Sequence, residues 1–317
     1  MSATYNRALH AYAVAVAVAT GCLRFVGGLV TSTGSGLAVP DWPLSFGQVF
    51  PRMTGGVLFE HGHRLAASSV GVLTVVLAIW LARAEPRRWV RRLGLVALAA
   101  VVVQGMLGGL TVLLKLPVAV SVAHAGTAEI FFCLAVTIAL VTSRGWIEAD
   151  ARAADDGAPS LATLAATTAV VAYFQILVGA LMRHSGAGLA IPDFPLSFGR
   201  LVPPLDSSLV VYAYAHRVGA IAVSTCVLWT AGRILRRHSD VPVLTAPALA
   251  LVALLAFQIF LGAAIIWTRK AVIPTTTHVV SGALILATSL VIALRARRHL
   301  AARVADAAVP AGARTAA

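Results

Sequence analysis

The sequence predicts an all-α membrane protein, with eight transmembrane helices forming two tandem four-helix bundles of the same orientation. Three observations carry this. The chain is 59% hydrophobic and 12% charged, against a charged share of about 25% in soluble domains. Apolar runs recur at close to the ~20 residues that cross a hydrocarbon core. And one sentence is written twice: GSGLAVPDWPLSFG at Gly34–Gly47 returns as GAGLAIPDFPLSFG at Gly186–Gly199, 152 residues on.

The first predicted span, Ala8–Val30, runs into the repeated motif without an A-x-A cleavage site, so it reads as a retained helix and not a signal peptide. The motif follows on the opposite side of the membrane. Its two prolines fix φ and bar a regular helix, and its aromatic and leucine side chains suit the membrane interface. Each copy is expected to fold as a lid over its own half. His63–Ala82, Leu93–Leu114 and Pro117–Thr142 complete the first half. Ser143–Ser160, with Glu148, Asp150, Asp155, Asp156 and Pro159, reads as a polar linker. Leu161–Met182, the second motif, Leu209–Gly232, Val243–Trp267 and Ile273–Leu294 then repeat the plan. The expected units are 1–142, 143–160, 161–295 and an Arg/Ala-rich tail, 296–317, expected to fray.

The repeat extends beyond the loops. HRLAAS at His63 matches HRVGAI at His216, QGMLGGL at Gln104 matches QIFLGAA at Gln258, and AHAGT around His124 answers THVVSG around His278, at offsets of 153 and 154. Four spans per half return the chain to its starting side, so the halves are parallel repeats about an axis along the membrane normal.

A net charge of +13 is compatible with nucleic-acid binding, but its placement argues against it. Arg7, Arg83–Arg92, Arg233–Arg237 and Arg295–Arg303 all fall on one side of an eight-span weave. The positive-inside rule makes that side cytoplasmic, with both termini, and puts the repeated loops outside. Cys22, Cys133 and Cys226 all fall in predicted spans, none placed for an outer-loop disulfide.

Four of the nine histidines obey the repeat: His63, His124, His216 and His278. Each lies on an even-numbered span, within two turns of the outer face. One buried histidine is as often interhelix packing as a ligand. Two pairs at matched depth point to a cofactor site on facing helices. Imidazole is a standard axial ligand of haem iron; another metal, or structural polar contacts, are the alternatives. Arg64 and Arg217 follow the first histidine of each pair, as cations for haem propionates or as arginines snorkelling at a helix end. Gln104 and Gln258, among glycines, read as amide glue between close-packed helices.

At these residues the chain resembles the haem A synthase family. GGLVTSTGSGLAVPDWP, EHGHR, QGMLGGLTV and the paired AH and TH carry the resemblance, which spans all eight helices. It implies a bacterial-type cell-membrane enzyme of cytochrome oxidase assembly that oxidises a methyl group of haem O to the formyl group of haem A, with water supplying the oxygen. It implies His63 and His124 on the substrate-haem side, His216 and His278 as ligands of a haem b, and Glu60 as the catalytic carboxylate. Haem O synthase is the implied substrate donor. The membrane electron acceptor and the oligomeric state, a homo-oligomer included, are left open. Many bacterial members carry loop cysteines where this chain has Val39, Ser45, Ile191 and Ser197, so it is similar to a cysteine-free type.

The halves are not identical. Glu60 lies three residues before His63, where the second half has Tyr212 or Ala213. If the helix reaches back that far, the two are surface neighbours; otherwise Glu60 is a helix-start residue favoured by the dipole. Glu129, matched by Ala283, falls within a span, where a charge is costly, and its role stays open. His61 and His184 have no repeat partner and read as solvated loop residues. The rivals to an enzyme are a quinol-linked electron-transfer cytochrome with two bis-histidine haems, and a transporter. The unmatched carboxylate favours the enzyme.

Overall fold

The computed structural model describes residues 4–149, 153–155 and 157–302. Eight of its helices are long and apolar enough to cross a membrane. In the first half these are α1 (Arg7–Ser32), α2 (Gly56–Ala84), α3 (Arg88–Leu113) and α4 (Val118–Val141). A short helix, α5 (Arg144–Ile147), and a strand, β1 (Ala153–Asp155), follow in the linker. The second half holds α6 (Leu161–His184), α7 (Ser208–Arg237), α8 (Pro242–Trp267) and α9 (Val272–His299), then β2 (Leu300–Ala302). All eight expected spans are present, and most run past their apolar band. The largest extension is at α2, which starts about two turns before His63, so Glu60 and His61 are helical.

Within each half consecutive helices pack side by side, and the first helix closes on the last, α1 on α4 and α6 on α9. Each half has its own apolar core. Leu9, Leu77, Leu81 and Ile138 anchor the first, and Leu161, Ile234, Leu251 and Ile292 the second. The halves meet along a seam of α1 and α4 against α6 and α9, where Phe132 packs on Ala283 and Ala287. The repeat holds at the turns too. Lys115 and Leu116 adopt positive φ between α3 and α4, as do Arg269 and Lys270 between α8 and α9.

Pro247, one turn into α8, cannot donate a backbone hydrogen bond to the carbonyl of Val243. Arg295 of α9 fills the vacancy, donating Nη1–H to that oxygen at 2.9 Å. Backbone groups freed by proline in membrane helices are commonly satisfied by such neighbours.

One expectation changes. The tail does not fray after Leu294: α9 runs to His299, and Leu300–Ala302 pairs in parallel with Ala153–Asp155 of the linker. Arg298 donates to the Trp146 carbonyl at 3.0 Å, and Arg233 pairs with Asp155 at 2.7 Å, so linker and tail brace each other. That pairing, with backbone donors from Leu161 and Gly157, outweighs the burial of Asp155 and holds its carboxyl below the usual range. The tail beyond 302 lies outside the described residues.

Candidate functional site

The four repeated histidines sit near the loop-side ends of α2, α4, α7 and α9. A glycine on the preceding helix meets each ring. A Cβ added to Gly27 would lie 3.0 Å from His63 Cε1, at Gly108 3.2 Å from His124, at Gly179 2.8 Å from His216 and at Gly262 3.5 Å from His278. A Cβ at Gly179 would force the His216 ring to shift, and one at Gly27 or Gly108 would crowd its imidazole, whereas at Gly262 it would make an ordinary contact. The rings of His216 and His278 face each other with centroids 6.3 Å apart, inclined at 62°.

The glutamines belong to the same site. Gln104 Nε2 lies 3.3 Å from His124 Nε2 and donates to the His124 carbonyl at 3.0 Å, while Gln258 Nε2 lies 3.2 Å from His278 Nε2. Gln175, which the sequence reading missed, lies 3.0 Å from His216 Nδ1 and donates to the His216 carbonyl at 2.7 Å. Its repeat partner is Leu23, so the first half lacks this brace.

Buried Nδ1 atoms of His63, His124 and His278 have no hydrogen-bond partner within the described chain. An unsatisfied buried polar atom costs about 1–3 kcal/mol, and these nitrogens, two in the first-half pair and one in the second, leave positions at both pairs that a ligand would satisfy. A metal held between two imidazoles at bonds of about 2.0–2.1 Å, as for zinc, fits the observed ring separation once the ring radii are added. Among the described residues no group of three or more His, Cys, Asp or Glu gathers to hold a metal, which disfavours an all-protein cage. Two-histidine axial ligation of a porphyrin iron needs no third side chain.

The loops fold alike. Asp41 accepts from the Phe46 and Gly47 amides, both at 2.8 Å, and Asp193 accepts from Phe198 and Gly199 at 2.7 and 2.8 Å. These backbone donors hold both carboxyls below the ordinary aspartate range. Phe46 and Phe198 sit at φ 55°, and Gly47 and Gly199 near 70°. Val39, Ser45, Ile191 and Ser197 are buried beneath the loops. Ser45 Oγ lies 2.8 Å from His61 Nδ1.

Both arginines hold these loops. Arg64 donates to the carbonyls of Asp41 at 2.7 Å and Leu44 at 2.9 Å, and Arg217 to those of Asp193 and Leu196 at 2.6 Å. They neither snorkel nor stand free beside the histidines.

Glu60 is 3% exposed. Its Oε1 accepts from Arg64 at 2.7 Å and its Oε2 from the Val39 amide at 2.8 Å. It is therefore not a solvated helix-start residue. His61 is also buried, 5% exposed, and the expectation of a solvated loop histidine fails because α2 begins earlier than its apolar run. His184 is partly buried as the last residue of α6, not in a loop. Glu129 is wholly buried and pairs with Arg24 of α1. Arg24 lies within the first predicted span, and a cation and a carboxylate in neighbouring spans was the signal available in the sequence.

The profile of the COX15-CtaA family, described as a cytochrome oxidase assembly protein, matches residues 10–291. The chain is 35% identical over 235 residues to a protein named Heme A synthase from Symbiobacterium thermophilum, covering 72% of this chain and 76% of that one. It is 28% identical to Heme A synthases from Alkalihalophilus pseudofirmus, over 84% of this chain and 90% of the relative, and Geobacillus kaustophilus, over 92% and 94%. With nearly the whole chain matched and the doubled histidine bundle in place, this protein belongs to the COX15-CtaA cytochrome oxidase assembly family.

Proposed function

We propose that this multi-pass membrane protein is a haem A synthase, an oxidoreductase converting haem O to haem A. The observation that carries the reading is a doubled histidine pair with a buried carboxylate beside only one copy. The relatives named Heme A synthase support it. A two-haem electron carrier would need no carboxylate for chemistry at one pair alone.

His63 and His124 face the substrate haem, and His216 and His278 hold a resident haem b. When bound, haem b supplies one-electron redox chemistry. The methyl carbon of haem O gains oxygen from water and becomes a formyl carbon, with electrons and protons leaving in equal number. Each oxygen of Glu60 accepts one hydrogen bond and keeps a further acceptor site. The carboxylate can stabilise positive character on the substrate edge and accept the proton of the adding water. Preorganised groups of this kind supply a large share of many rate enhancements. Arg64 and the Val39 amide hold the Glu60 carboxyl group in place and aimed. Arg217 and Arg64 fasten the lids, so contacts to propionates would need these guanidiniums to share their donors.

Haem O synthase is proposed as the donor, and the arginine-rich side, with both termini, as cytoplasmic. Pigment extraction from protein purified after co-expression with a haem O source tests the reading. Haem A together with haem b is expected; haem b alone would support the electron carrier.

A further inference from the structure

The halves differ in buried charge. Through the repeat, Glu60 matches Ala213, Glu129 matches Ala283, Arg24 matches Ile176 and Arg183 matches Thr31. The first half thus holds two carboxylates and one arginine that the second lacks, and the second holds one arginine that the first lacks. Both Arg24 and Arg64 end on carboxylates, Glu129 and Glu60. Arg183 ends on neutral oxygens: its Nη2 donates to Ser32 Oγ at 2.8 Å and to the Gly28 carbonyl at 3.3 Å, across the seam on α1.

Three neighbours fix its position. Gly179, one turn away on the same face of α6, meets the His216 ring. Gly28 adjoins Gly27, which meets His63. Ser32 accepts from Thr276 Oγ1 at 2.9 Å, and Thr276 lies two residues before His278. The guanidinium thus lies at the seam, bonded to α1 beside the glycine that meets His63 and joined through Ser32 and Thr276 to the turn of α9 that carries His278.

We propose that Arg183 is a positioning residue for electrons: an un-neutralised cation that raises the reduction potential at the His216–His278 site above that at His63–His124. This rests on the assignment of haem b to His216 and His278. A fixed positive charge in a low-dielectric interior favours whichever state of a neighbour is more negative, here ferrous over ferric iron. Arginine keeps its charge at any working pH. In the first half Arg64 and Arg24 are balanced by Glu60 and Glu129, so these pairs add little net positive field there. A haem held by His216 and His278 would then be the better one-electron acceptor of the two sites, so the charge pattern would favour transfer across the seam toward it.

Redox titration of the purified, haem-loaded protein tests this in wild type, Arg183→Gln, Arg183→Lys and Ser32→Asp. Arg183→Gln is expected to weaken reduction at least tenfold, a midpoint lower by about 59 mV for one electron. Arg183→Lys keeps the charge and should stay near wild type. Ser32→Asp sets a carboxylate against the guanidinium and should lower the midpoint as well. Unchanged midpoints in Arg183→Gln and Ser32→Asp, with haem bound, overturn the proposal. If Arg183→Gln loses haem, the Ser32→Asp midpoint decides; haem loss from both would make Arg183 a clamp and also overturn it. A haem signal that survives His278→Ala would instead overturn the ligand assignment, and this proposal with it.

Discussion

Glu60 stands three residues from His63 yet bonds forward to Arg64 and sideways to the loop amide of Val39. Sequence spacing alone brought the carboxylate beside the histidine; the loop it fastens was not legible, because Val39 is 21 residues away. The arrangement decides which substitution is informative. Breaking a buried ion pair by deleting one partner costs about 3–5 kcal/mol, so Glu60→Ala would mix unfolding with chemistry. Glu60→Gln keeps the shape and one acceptor. It is expected to retain bound haem and lose about 10²–10⁴-fold in haem A formation, the usual span for general-base help. Chromatography of extracted haems measures this, and near-normal haem A would remove Glu60 from the chemistry. Arg183 shows the other limit. Nothing in its local sequence separates it from an ordinary helix-end arginine, and its partners Gly28 and Ser32 lie more than 150 residues away.

At the scale of elements, the repeated PD[WF]PLSFG loops were legible as non-helical lids because two prolines forbid anything else. The fastening was legible only in part. Aspartate two residues before each cis Pro43 and Pro195 caps the Phe-Gly amides, a pairing the eye reads as surface charge. Because the folded carboxyls of Asp41 and Asp193 titrate below the unfolded value near 3.9, they add loop stability above that pH. The contribution is lost as pH falls through the depressed folded values. Limited proteolysis at Gln48 and Arg200 is therefore expected to stay slow down to about pH 4 and to accelerate in stronger acid, using an acid-active protease. Asp41→Ala should show the fast cleavage of the first loop already at neutral pH, and equal rates in wild type and variant would contradict the cap. The start of α2 and the end of α9 escaped the sequence reading for one reason: unbroken apolar runs mark the hydrocarbon band, and both helices continue beyond it past charged or polar residues, Glu60 and His61 in α2 and the arginines of α9.

Over the whole molecule, the doubled sequence foretold two four-helix bundles, and the seam between them was not foretold. It depends on which faces of α1, α4, α6 and α9 meet, and the ion pair of Arg24 with Glu129 lies there. The arginine-rich ends fix the proposed orientation: reporter fusions after Arg87, Gly157 and Arg236 should report cytoplasm, and those after Gln48 and Arg200 the outer side. An outer signal at Gly157 would contradict two same-orientation halves. The unequal roles of the halves are the core of the account, and one comparison tests them most directly. Haems are extracted from His63→Ala, His124→Ala, His216→Ala and His278→Ala proteins, each co-expressed with a haem O source, and bound haem b and newly made haem A are quantified together. The account predicts loss of bound haem b from His216→Ala and His278→Ala. It predicts retained haem b, but no haem A, from His63→Ala and His124→Ala. The same haem pattern from all four variants would contradict it.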